Sequence, residues 1–198
     1  MNESNDIHKN ESFVSSIYLA YKNFGYSYNR KLNLIESETK VLVYCFIVSF
    51  ILFLSGLPSQ FANWLESNQS EPFMALAGIS LFTSLFFVPL ALYGVSALIH
   101  IFAKLFKGSG TFQKVRIALF WTLIVCSPAI ILNGLIQGYF NNLNIGIISK
   151  WVTNVFVAWV FSNMLKEAED FLSVGSVFIV IMTIMIVFQS IIYFFLYF

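Results

Sequence analysis

Residues 73–106 read FMALAGISLFTSLFFVPLALYGVSALIHIFAKLF, with no Asp, Glu, Lys or Arg before Lys104. A helix needs roughly 20 apolar residues to cross a hydrocarbon core about 30 Å thick. Inside that core, only helices and closed barrels satisfy their own backbone groups. The stretch therefore reads as a spanning helix with length to spare, to be tilted, kinked or extended past the bilayer. A division into two short spans finds no loop signal in SLFTSLFFVPLALYGVSALIHIF. Pro89 removes a backbone donor and crowds the preceding turn, which predicts a bend there.

Further apolar stretches surround this one. The first covers about 41–57 and is expected to stop at Pro58; the third covers 113–139, bent by Pro128 near its centre; the fourth covers 145–165 and the fifth 174–198. The expected fold is all-α: a polytopic, five-helix transmembrane bundle at 38–198, preceded at 1–37 by a cytosolic polar tail and a short amphipathic interfacial helix. Composition agrees, since 58% of the 198 residues are hydrophobic and 11% charged, with mean hydropathy +0.78. Once five spans are placed, almost nothing is left for a soluble domain. A formal net charge of +1 excludes a phosphate-tracking nucleic-acid binder, so partners should be lipid or protein. Cys45 and Cys126 lie inside apolar runs and read as packing residues. Residues 2–12, NESNDIHKNES, are polar, so no cleavable signal peptide is expected and the first span directs insertion.

Over residues 12–35, Phe13, Ile17, Tyr21, Phe24 and Tyr28 recur every three or four positions and share a helical face, with Lys22, Arg30 and Lys31 flanking it. Such a helix suits the membrane interface beside anionic lipid; the alternative is packing against the bundle's own loops. Orientation follows from the basic residues in alternate connections. Lys9, Lys22, Arg30, Lys31, Lys40, Lys104, Lys107, Lys114, Arg116 and Lys166 fall on one side and only Lys150 on the other, which places the N-terminus in the cytosol and the C-terminus outside.

Ionisable groups within spans would mark chemistry, because hydrocarbon penalises them. His100 and Lys104 lie one turn apart near the cytosolic end of the second helix. With Lys107, Lys114 and Arg116 they form the candidate contacts for a lipid headgroup, near backbone N–H groups at the start of the third helix. The alternatives are a snorkelling Lys104, a locally bonded His100 and plain positive-inside charge. Gly108 and Gly110 allow a tight turn, and Ser109 or Thr111 can cap the next helix. Asn133 and Gln137 share a face of the third helix and suit interhelical hydrogen bonds. Gly134 and Gly138 form a GxxxG spacing for close helix packing. There is no GxSxG, no HExxH and no phosphate-cradling loop, and neither enzyme activity nor any cofactor or metal is expected.

A long apolar helix, then AKLFKGSGTFQKVRIALFW at 103–121 with its G-x-G-[ST]-F turn at Gly108 to Phe112, then a mid-helix Pro128, resembles the Yip family. Asn163 to Phe171, with Glu167 between, is similar to the sequence after the fourth span of some bacterial members. Yip proteins are small membrane proteins named for binding Rab/Ypt GTPases in eukaryotes. The likeness covers about 41–198 and implies five spans, a cytosolic N-terminus and a short extracytosolic C-terminus. Eukaryotic members carry a longer cytosolic N-terminal segment for partner contacts; the short one here, with a composition rich in Phe, Ile and Asn, points to a bacterial inner-membrane member without Rab-type GTPase binding. The alternative location is a eukaryotic endomembrane. Function is then expected to be that of a non-enzymatic, membrane-organising or trafficking-like scaffold acting through lipids, self-association or other membrane proteins. The alternative is a small transporter, channel or lipid scramblase, with broken helices at Pro89 and Pro128 and a vestibule of Asn133, Gln137 and Lys150.

Overall fold

The computed structural model describes residues 13–35, 37–67, 71–140 and 143–197, and every regular element among them is a helix. The order is α1 (Phe13–Ala20), α2 (Phe24–Leu34), α3 (Glu38–Glu66), α4 (Phe73–Leu105), α5 (Phe112–Val125), α6 (Ser127–Tyr139), α7 (Leu143–Glu169) and α8 (Val174–Tyr197). Helices α3, α4, α7 and α8 are each long and apolar enough to cross a membrane, and α5 with α6 makes a fifth candidate span bent by 54°. The all-α, multi-span architecture read from the sequence is thus the one observed. The polar tail at 1–12 and Asn141–Asn142 of the loop before α7 lie outside the described residues.

The bent pair forms the middle of the bundle. Between Val115 and Cys126 only Arg116 and Leu123 retain appreciable exposure, because α3, α4 and α7 all pack on α5. Helix α3 lies along α6, and α7 packs on both halves of the bent span. Helices α4 and α8 are peripheral: only 6% of the most apolar stretch of each is buried within the chain. Ser84 in α4 donates its hydroxyl to the Ser49 carbonyl of α3 at 2.9 Å, a buried tie between neighbouring helices.

Two expectations need correction. The first span does not stop at Pro58, because α3 continues to Glu66 with the proline inside it. Neighbouring contacts hold the turns that the proline weakens. The Ser55 and Ser59 hydroxyls donate to the Leu52 and Gly56 carbonyls at 2.8 and 2.9 Å. Beyond them Phe61 and Trp64 pack on Phe73 of α4, at 5.1 and 5.9 Å between ring centroids, and the Trp64 indole donates to the Glu71 carbonyl at 2.9 Å.

The bend expected at Pro128 is present, since the third span turns through 54° where α5 meets α6. The third span is two helices meeting at Cys126, with Pro128 in the first turn of α6, where a missing N–H leaves no bond unmade. Pro89, by contrast, lies inside a single α4.

The second correction concerns the amphipathic segment. It is two helices, broken where Asn23 caps α2 by accepting from the Tyr26 amide at 3.0 Å. Its aromatic stripe faces the bundle. The Tyr21 hydroxyl donates to the Val125 carbonyl at 2.7 Å and its ring stacks on Phe156 at 6.4 Å, while Tyr28 is fully buried. The side that meets the surroundings carries Val14, Tyr18 and Tyr26, all exposed. An i, i+3/i+4 stripe marks a face that needs covering; it does not say whether lipid or protein covers it.

Candidate functional site

The residues with most chemical potential gather at the basic end of the bundle, where α2, the α4–α5 connection and the last turn of α7 meet. Helix α4 ends in a turn that Lys107 makes with a left-handed backbone, φ 64°, closed by the Gly108 amide donating to the Ala103 carbonyl at 2.9 Å. The next residues fold over Glu169, whose side chain is fully buried. Its Oε2 accepts from the Gly110 amide at 2.9 Å, and its Oε1 lies 2.8 Å from His100 Nδ1. Its backbone carbonyl accepts from the Ser109 amide at 3.0 Å. Beside it the Ser109 hydroxyl donates to Asp170 Oδ2 at 2.6 Å.

Close approach is what the glycines provide here. No glycine in the described chain has a positive φ, so the turn itself does not demand them. A Cβ on Gly108 would stand 2.5 Å from Glu169 Oε2, and one on Gly110 would overlap the Ala168 carbonyl. The GSG sequence is thus a socket for a carboxylate from α7. Thr111 caps α5, accepting from the Lys114 amide at 3.4 Å.

The five candidate headgroup contacts are distributed as follows. His100 faces Glu169 and Lys104 donates to the carbonyls of Gly108 and Gly110 at 3.1 and 3.0 Å. Arg116 makes a two-point pair with Glu38 at 2.8 and 2.9 Å, and its guanidinium lies 4.4 Å from the Phe112 ring centroid and 5.3 Å from that of Tyr93. Lys107 is exposed and Lys114 half-buried. Three of the five are therefore engaged inside the fold, stitching α4, α5 and α7 to one another and to the start of α3.

Helix α2 completes this end. Tyr28 donates to the Lys114 carbonyl at 3.1 Å; burial foremost, then the nearby carboxylates of Glu169, Asp170 and Glu167, push its phenol well above the usual range. The Trp121 indole donates to Ser27 Oγ at 3.0 Å, and Lys31 Nζ sits 4.5 Å from the Trp121 ring centroid. Asn29 donates to Glu167 at 3.2 Å, and Gly25 lets the Glu167 side chain lie against the backbone of α2.

At the other end, the Ser149 hydroxyl donates to Asn133 Oδ1 and Gln137 Nε2 donates to the Gly146 carbonyl, each at 2.7 Å, so both polar residues join α6 to α7. Lys150 is exposed. Gly134 and Gly138 face α3: a Cβ on the former would overlap the Ser55 backbone and one on the latter would stand 2.5 Å from Pro58. Sequence reasoning did not single out Glu169. Its partners lie 59 and 69 residues away, a separation that a single sequence does not reveal. The available signal was a G-x-G connection with a histidine two turns before it. Among the described residues no group of three or more His, Cys, Asp or Glu could hold a metal ion.

No curated protein and no solved structure matches the chain. The family model described as the Yip1 domain matches residues 33–195, from the end of α2 into α8. That match takes in every candidate span and the whole Glu169 socket, and the chain is accordingly a multi-pass membrane protein that belongs to the Yip1 domain family.

Proposed function

We propose that the protein is a non-enzymatic membrane-organising scaffold that works through lipid and protein contacts, self-association included, with its basic end in the cytoplasm of a bacterial cell and its other end outside. The observation that carries this reading is the outer face of α4. Ile79, Phe82, Phe86 and Leu90 recur at helical spacing and each keeps more than 60% of its surface exposed. A spanning helix so little covered by its own chain offers a continuous apolar face to the bilayer or to a neighbouring membrane protein. The internal ties of Asn133 and Gln137 favour this over a vestibule for transport.

A photocrosslinking residue at Phe86, in cells, should yield adducts with a second copy or another membrane protein, whereas one at the buried Val160 should not. Purified protein in vesicles should neither pass small solutes nor move labelled lipid between leaflets above protein-free controls. Flux or lipid exchange well above those controls would replace the scaffold by a transporter or scramblase.

A further inference from the structure

Helices α1 and α2 add protein to one half of the bundle. At the basic end α2 meets Lys114 in the first turn of α5 and Glu167 in the last turn of α7. Toward the other end the hairpin reaches, through Tyr21, Val125 and Phe156. Both are midpoints: Val125 ends α5, where the bent span breaks, and Phe156 is the central residue of α7. The bent span meets the hairpin through α5, its basic-end half. Burial among the described residues is skewed the same way. Helix α3 buries Val41, Cys45, Val48 and Ser49, all in its first half. The buried side chains of α7 run from Ala158 to Glu169, in its second half, while α6 buries Gly134 alone.

The hairpin stands at the depth of one leaflet rather than above it. Val125 and Phe156 belong to candidate spans, so helices docked on them have lipid at their flank. Helix α1, FVSSIYLA, carries no charged residue, and its Val14 and Tyr18, one turn apart, are 72% and 67% exposed. Lys22, at the turn, folds its ammonium to within 5.7 Å of the Tyr18 ring, as a long basic side chain does when its stem runs along apolar surface. Helices of 8 and 11 residues, each about 10 Å across, displace on the order of 200 Å² of lipid from that leaflet. Area forced into one leaflet is relieved when that leaflet lies on the outside of a bend. We propose that the hairpin is a one-leaflet wedge and that the protein gathers where the bilayer is convex on its basic side, so that its ligand is a curved lipid surface. The assignment rests on the lipid-contact part of the scaffold reading and gives that scaffold a membrane shape.

The test uses the full-length protein in giant vesicles of phosphatidylcholine and phosphatidylglycerol, from which narrow membrane tubes are drawn. An impermeant dye on Lys107→Cys marks molecules whose basic end faces out, and on Glu71→Cys those facing in; Cys45 and Cys126 are buried. Molecules facing out should be about threefold denser in the tube than in the parent vesicle, and those facing in should be depleted. Equal density in tube and vesicle, or the same preference in both orientations, overturns the wedge. Val14→Asp/Tyr18→Asp, added to Lys107→Cys, alters exposed residues and should abolish the enrichment; enrichment that survives it places the cause elsewhere and overturns the hairpin's role. Should that variant not fold, a nitroxide on Tyr18→Cys decides. Collisions with oxygen rather than with a water-soluble nickel chelate are expected, and the reverse lifts the hairpin out of the leaflet. The scaffold reading fails separately: loss of tube preference with the Phe86 adducts intact removes the wedge alone, and loss of the adducts with the preference intact removes the scaffold's protein contacts alone.

Discussion

A carboxylate with no surface in water is destabilising unless its oxygens find donors, and Glu169 has one for each: the Gly110 amide and the His100 ring. Glu169→Leu removes both at once, leaving a buried N–H and an imidazole without their acceptor. The expected loss is about 3 kcal/mol, seen as a lower thermal midpoint of the detergent-solubilised protein. Glu169→Gln keeps an acceptor oxygen and should lose about half as much. Lys107 presents the opposite case, a side chain on a left-handed residue that glycine would occupy without a clash. Lys107→Gly should raise the same midpoint, by the equivalent of about 0.5–1 kcal/mol. At this scale the sequence was only partly legible. It showed which charges lie near which end of a span. Which of them meet was hidden, because His100, Gly110 and Glu169 come together only when α4, α5 and α7 are assembled.

Among the elements, long apolar runs were the legible part, since the bilayer's thickness and its intolerance of unpaired backbone leave one solution for each of them. The failures cluster where tertiary contact overrides a local rule. Pro58 reads as a stop, yet aromatic packing on α4 carries α3 two further turns. The stripe from Ile17 to Tyr28 reads as lipid-facing, yet its tyrosines find carbonyls on α5. The contact between α3 and α6 supplies a test at this scale. Gly134→Ala sets a methyl group against the Ser55 carbonyl and should destabilise by about 1–3 kcal/mol. Size-exclusion profiles should show no change in oligomeric state, because the glycine lies inside the chain's own packing.

For the whole molecule, the row of helices from α4 through α3, the bent α5–α6 pair and α7 to α8 has most of its basic residues at one end. Thiol labelling of intact cells should therefore reach a cysteine at Glu71 and miss one at Lys107 until the membrane is opened. The reverse pattern would invert the proposed orientation. The socket around Glu169 also has a bearing on the order of assembly. Synthesis proceeds from the N-terminus, so Gly108, Gly110 and His100 are made and threaded into the bilayer long before the residue that joins them. Throughout that interval the second and third spans are inserted but unlatched, and α1–α2 has neither Glu167 nor Phe156 to dock on. The last turn of α7 closes the connection and, through Glu167, completes the docking that the amino-terminal hairpin makes on α5. Chains ended after residue 142 should accordingly be cut by trypsin at Lys107, while chains ended after residue 173 resist; latching is then an event in the life of the nascent protein, timed by the emergence of one helix end.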